Sequence, residues 1–255
     1  MMKFLFGRTP IPPAPGNPQV VAPAAPRHLL YESDPVFNGI YDAGLAVTET
    51  PDPPKPAYSK RRERFYNLAQ FFLQAQPLTG AIAECGCWKG LSSYMLCHYL
   101  RRAHPEFQGE DYHIFDSFAG LSEPAGEDLV SAGTPGAAAT SPAGTFAAAQ
   151  EAVQAGLREF PAIEYHRGWL PESLGPLPEQ RYRFVHVDVD LYEPTKGCLE
   201  YFFPRLVPGG LLVSDDYGSL YWPGAKKAVD EFCAAHGVPL LTVSTGQAIL
   251  WKRGN

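Results

Sequence analysis

Two aspartates, Asp188 and Asp190, stand two residues apart near the end of RFVHVDVDLYEP (183–194), a run that alternates like a β-strand. Val185, Val187, Val189 and Leu191 share one face, and Phe184, His186, Asp188 and Asp190 share the other. A carboxylate is seldom buried without a partner. The pair therefore either faces solvent from an antiparallel strand or reaches into a site from the C-terminal end of a buried one. A second acidic pair, Asp215 and Asp216, closes the later run GGLLVSDDY (209–217). If the two strands are neighbours, all of these carboxylates meet at one edge. Two unit charges about 4 Å apart repel by ~4 kcal/mol at an effective dielectric of about 20. Protons or a cation must offset that repulsion. Oxygen ligands without His or Cys favour a hard divalent ion, Mg²⁺ first, with Mn²⁺ or Ca²⁺ as alternatives. The plainer reading of Asp215 and Asp216 is that they cap the turn that follows.

An earlier segment, ECGCWKG (84–90), precedes a helical opening LSSYML and contains Glu84, Gly86 and Gly90. Glycines there let backbone amides approach a ligand, and a helix N-terminus favours an anionic group. The G-x-G-x-x-G dinucleotide fingerprint is absent, because Cys87 and Trp88 interrupt it. FDSF (115–118) then ends a second strand with Asp116, a residue type that accepts hydrogen bonds from both ribose hydroxyls or, alternatively, caps a turn. Together Glu84, Gly86, Gly90 and Asp116 outline a nucleoside-containing cofactor with a charged tail and no required pyrophosphate. S-adenosylmethionine fits that outline better than NAD.

The elements that must position these residues are legible as an alternation. Strands are expected over 81–86, 112–118, 163–168, 183–190, 209–216, 239–244 and 246–252. Helices are expected over 61–74, 92–103, 146–160, 195–206 and 224–237. Strands separated by helices indicate crossover units and a mostly parallel sheet covered on both faces. Ligands of such sheets sit beyond the carboxyl ends of the strands, near the switch in strand order.

The composition, 45% hydrophobic and 19% charged over 255 residues, is that of a globular protein with a sizeable core. A net charge of −6 and a pI near 5.6 argue against a nucleic-acid partner, and KRRER (60–64) reads as the solvated start of a helix. The five cysteines lie in apolar runs without disulfide or zinc spacing and are expected as reduced core thiols. No apolar stretch approaches a membrane span, and the first apolar run is too short for a signal peptide, so the expectation is a soluble cytoplasmic protein with no membrane partner. Residues 1–57 are proline-rich and are expected to form an extended arm, a tail or a contact between copies in a homo-oligomer. The folded domain is then 58–255. The Ala/Gly-rich segment 121–145 is either a lid or an ordinary insertion.

ECGCWKGLSS, DSFAGL, RGWLPESL, HVDVDLYEPTKGCLEYFFPRLVPGG and SDDYGSLYWPGAKKAVDEF together resemble the macrocin O-methyltransferase family, metal-dependent sugar methyltransferases of antibiotic biosynthesis. The resemblance covers about three quarters of the chain. It implies a class I methyltransferase fold, Rossmann-like α/β with a mostly parallel seven-stranded sheet and helices on both faces. It also implies S-adenosylmethionine on Glu84, Gly86, Gly90 and Asp116, Mg²⁺ on Asp188, Asp215 and Asp216, and Asp190 as general base. Gly168 and Trp169, in RGWLPESL, would flank the adenine. The small-molecule acceptor is expected to be a sugar hydroxyl of a glycosylated natural product. A phenolic or catechol-like acceptor and a noncatalytic nucleoside-binding module are the alternatives.

Overall fold

The computed structural model describes residues 29–52, 57–129, 141–175 and 178–254, without the side chains of 57–59. Seven strands form one sheet in the order β3-β2-β1-β4-β5-β7-β6. They are β1 (Ala81–Cys85), β2 (Tyr112–Asp116), β3 (Glu164–Arg167), β4 (Tyr182–Val187), β5 (Leu206–Ser214), β6 (Leu240–Thr242) and β7 (Ala248–Trp251). β1 to β5 pair in parallel, while β7 runs antiparallel to both β5 and β6. The expected α/β architecture is present, and the order reverses between β1 and β4, where a binding crevice belongs.

Helices cover both faces. α1 (Pro35–Val47), α2 (Ala57–Ala75), α3 (Leu91–Ala103) and α4 (Gln150–Gly156) lie on one side, where Phe37, Phe72, Met95 and Val153 share a core with Ile82, Ile114 and Phe184. α5 (Tyr192–Phe202) and α6 (Pro223–His236) lie on the other, where Leu199, Phe202 and Val229 meet Cys85, Val185 and Val187. Successive residues of a buried parallel strand feed opposite cores, so β1 and β4 read as nearly continuous apolar runs. All five cysteines are free and buried. Among the described residues no helix is long and apolar enough to cross a membrane.

The proline-rich lead departs from expectation. Residues 1–28 lie outside the described residues, but α1 falls inside the supposed arm and is part of the core. Asp34 caps it by accepting from Phe37 N at 2.9 Å, and Pro35 opens it with φ already suited to a first turn. Phe37, Tyr41 and Gly44 then fall on one buried face at i, i+4 and i+7. A Cβ at Gly44 would lie 2.7 Å from a methyl of Leu91, so glycine permits the close crossing of α1 over α3. The folded unit therefore begins upstream of residue 58. α4 is also shorter than expected, seven residues between Gln150 and Gly156.

Candidate active site

One cavity of about 730 Å³ opens at the carboxyl ends of β1, β2, β4 and β5, within the size range of small-molecule sites. β4 stops at Val187, and Asp190 has φ of +62°, so the chain leaves the sheet in a sharp turn. That turn, rather than a continued strand face, aims Asp188 and Asp190 into the cavity. β5 lies beside β4 with Ser214 opposite Val187, which brings Asp215 and Asp216 to the same edge. Oxygen atoms of Asp188, Asp190 and Asp216 converge within 4.8 Å, as do donor atoms of His186, Asp188 and Asp215. Asp188 belongs to both groups.

Electrostatically this edge is crowded. Burial, and then the neighbouring Asp188, push the Asp190 carboxyl well above the usual range, with Arg64 pulling it back. Asp216 is raised in the same way by burial, Asp190 and Asp188, against Arg64 and the amide of Asp190, which donates to it at 3.1 Å. Arg64 pairs with Asp215 and stands 3.7 Å from Asp216. Gln247 donates to Asp215 Oδ1 at 2.7 Å. The KRRER run is thus not simply a solvated helix start. Arg62 is buried, Arg64 supplies countercharge to the acidic edge, and Arg61 lines the cavity, where burial lowers its pKa.

The β1 and β2 ends behave differently. Asp116 lines the cavity, yet its carboxylate already accepts from the amides of Cys87 (2.7 Å), Trp88 (3.3 Å) and Phe118 (2.7 Å). It caps the β1 exit loop and keeps roughly one of a carboxylate's four lone-pair directions for another donor. Gly86 lines the cavity, but its glycine is required because a Cβ would sit 2.0 Å from the carbonyl oxygen of Asp188. Gly90, at φ +86°, faces Val153 of α4 and Leu157 just beyond its end, and does not line the cavity. Glu84 is also absent from the cavity wall. It is fully buried under α3, where Ser93, Tyr112 (3.1 Å) and His186 Nδ1 (3.1 Å) surround its carboxylate. Strand alternation explains this, since Glu84 shares the face of Ile82 toward α3 and Cys85 takes the other. Neither Glu84 nor Gly90 lines the cavity; both shape the loop from behind it.

What the cavity does present near that loop is the first turn of α3. Gly90 caps it without a side chain, and Leu91 and Ser92 line the wall, so a helix end of the kind that favours an anionic group borders the cavity. Gly168 and the half-exposed Trp169 border the cavity from the end of β3. At the mouth, Phe146 stands between Trp88 (5.6 Å) and Trp222 (6.4 Å), beside exposed Leu220 and Tyr221. The ends of the 121–145 segment are tied together, Leu121 N to Thr145 O (2.8 Å) and Gly144 N to Leu121 O (2.9 Å), with 130–140 outside the described residues. Sequence reasoning missed Arg61, Arg64, His186 and the aromatic rim. For α2 the signal was the spacing of Arg61, Arg64, Phe65 and Leu68 on one helical face.

The chain also matches known proteins in sequence and fold. Residues 44–253 match the family model described as macrocin-O-methyltransferase (TylF). The chain is 26% identical over 238 residues to the 8-demethyl-8-(2,3-dimethoxy-alpha-L-rhamnosyl)-tetracenomycin-C 4'-O-methyltransferase of Streptomyces olivaceus, covering 88% of each chain. It is 28% identical over 180 residues to the demethyldecarbamoylnovobiocin O-methyltransferase of Streptomyces niveus, covering 68% of this chain and 66% of that one. The solved structure of the O-methyltransferase NovP shares the fold with a TM-score of 0.65 at 20% identity, over 86% of this chain and 98% of that one. With the family match spanning most of its length, the chain belongs to the macrocin O-methyltransferase family and is an S-adenosylmethionine-dependent O-methyltransferase.

Proposed function

We propose that the protein moves the methyl group of S-adenosylmethionine to a sugar hydroxyl of a glycosylated small molecule, and that a divalent ion at the acidic edge activates that hydroxyl. The observation that carries this reading is the convergence of Asp188, Asp190, Asp215 and Asp216 on one wall of the cavity that Asp116, Gly168 and Trp169 also line. Those residues fit a hard cation, because their carboxylates are clustered and largely buried, with only Arg64 paired to them and Arg61 acting on Asp188 as countercharge. Asp188, Asp215 and Asp216 would hold the ion, Mg²⁺ first. When bound, such an ion lowers the pKa of a nearby hydroxyl and steadies its developing negative charge.

The chain's own residues supply the rest. Asp190, made more basic by burial beside Asp188, takes the hydroxyl proton as oxygen bonds to the methyl carbon and the carbon–sulfur bond breaks, leaving a neutral thioether. Gly86, Asp116, Gly168 and Trp169 border the space for the nucleoside, with the open turn of α3 for its carboxylate. Fixing both reactants in near-attack geometry accounts for much of the rate. The rim of Trp88, Phe146 and Trp222 offers flat apolar surface to an aglycone while the sugar reaches the carboxylates.

Incubating the protein with methyl-labelled cofactor and a panel of glycosylated and catechol-like acceptors tests this. Label on the sugar of a glycoside is the expected result. Label confined to catechols would replace the sugar reading, and cofactor binding without transfer to any acceptor would make the protein a binding module.

A further inference from the structure

The active site leaves a second group of titratable side chains unused, at the β3 edge of the sheet and outside the cavity. His113 of β2 and Glu164 and His166 of β3 bring one donor atom each within 4.8 Å of one another. We propose that these three side chains form a binding site for a transition-metal ion of the Zn²⁺ kind, separate from the acidic edge. The proposal does not depend on the reading of the acceptor or of Mg²⁺.

Strand register builds the group. β3 is an edge strand, and its parallel pairing with β2 sets Glu164 opposite His113 and His166 opposite Phe115. Residues two apart on a strand share a face, so all four stand on one side of the sheet. That side is the one under α5, where Phe115 packs against Phe202 at 5.4 Å. His166 stacks on Phe115, with ring planes 10° apart and centroids 4.3 Å apart. His113 is 4% exposed and meets the ring of Tyr182 at 6.3 Å. Packing therefore holds both imidazoles in place before any ligand arrives, while the exposed Glu164 gives an ion a way in from solvent.

The spacing suits a shared ion. His113 Nδ1 stands 3.1 Å from His166 Nε2 and 3.6 Å from Glu164 Oε2. Two donors each about 2.0 to 2.1 Å from one ion stand about 3.0 to 3.4 Å apart at octahedral to tetrahedral angles. The two nitrogens already have that separation, which a single proton bridges when no ion is bound. The gap to Glu164 is too long for a hydrogen bond, and a shift of a few tenths of an ångström in that exposed side chain closes it. Polar contacts outside the group do not account for the burial of His113, because its Nε2 has no hydrogen-bond partner among the described residues.

Two imidazoles and a carboxylate select Zn²⁺ and its transition-metal neighbours over Mg²⁺, which prefers oxygen alone. Since the group lies outside the cavity, the ion's part is to clip the edge strand to β2. β3 runs on from His166 through Arg167 to Gly168 and Trp169, which border the cavity, so the clip sits directly before that wall.

Metal-free full-length protein, kept in excess Mg²⁺, is titrated with Zn²⁺ in competition with a colorimetric chelator. One equivalent should bind with micromolar or tighter affinity. Glu164→Gln should weaken that binding by about tenfold or more, and His166→Gln by about 100-fold, at or beyond the loss seen when only an outer partner of a ligand is removed. Asp188→Asn should leave it unchanged. Zn²⁺ binding that survives both Glu164→Gln and His166→Gln overturns the proposal, and so does binding that disappears in Asp188→Asn, which would put the ion at the acidic edge. Absence of any stoichiometric Zn²⁺ binding overturns it as well. Should His166→Gln fail to fold, Glu164→Gln, altered on the exposed edge, decides.

Discussion

The two halves of the sheet's carboxyl edge use the same residue type to opposite ends. At β1 and β2, Glu84 and Asp116 are surrounded by donors from the protein: two hydroxyls and an imidazole for the first, three backbone amides for the second. At β4 and β5, Asp188, Asp190, Asp215 and Asp216 crowd one another, and the donors they have, Arg64 and Gln247 on Asp215, the Asp190 amide on Asp216 and Arg61 near Asp188, are too few to balance four carboxylates. The difference teaches how to tell scaffold from site. An acidic residue at a strand end whose lone pairs are already met holds the protein together, whereas carboxylates crowded together in excess of their countercharge are organised for something that binds.

That contrast can be broken at either half. Asp190→Asn should lower kcat by roughly 100- to 10,000-fold, the range of a general base. Its fold should remain at least as stable, since a crowded charge is removed. Thermal melting beside steady-state kinetics checks both, and a collapse of stability in parallel with activity would place Asp190 with the scaffold.

Glu84→Ala should show the reverse. Removing a buried carboxylate orphans Ser93, Tyr112 and His186 Nδ1, at a cost of about 3 kcal/mol or more. Urea denaturation reads that loss directly. A stable Glu84→Ala protein with only weakened cofactor binding would restore Glu84 to direct contact.

Asp116→Ala sharpens the comparison because this residue touches both worlds. With about one lone-pair direction left for ribose, cofactor affinity should fall by about tenfold, the worth of one charge-assisted hydrogen bond. Calorimetry with S-adenosylhomocysteine measures it. Unchanged affinity would make Asp116 a cap alone.

The sequence made the architecture and the acidic edge legible for physical reasons. Apolar runs of strand length bounded by turns have few alternative placements, and adjacent parallel strands necessarily bring VDVD and SDD to one edge. Other features were hidden. α1 was obscured by surrounding prolines, although Asp34-Pro35 and the spacing of Phe37, Tyr41 and Gly44 carried its signal. Arg64 was masked by a charge run that resembles a solvated surface, and only its reach to Asp215 shows otherwise. Alternation assigned His186 and Glu84 to a face but could not reveal that the two meet across neighbouring strands. The glycines were detectable as special, yet their cause is tight internal packing. Gly86 meets Asp188 and Gly90 meets α4, contacts that no local motif encodes.

On the proposed reading, the excess negative charge of the β4 and β5 edge holds a divalent ion that activates the acceptor hydroxyl. Methyl transfer by the unaltered protein, assayed after exhaustive chelation and again after adding Mg²⁺, tests it most directly. Transfer should stop on chelation and return with Mg²⁺; full activity in the chelated protein would contradict a role for the ion.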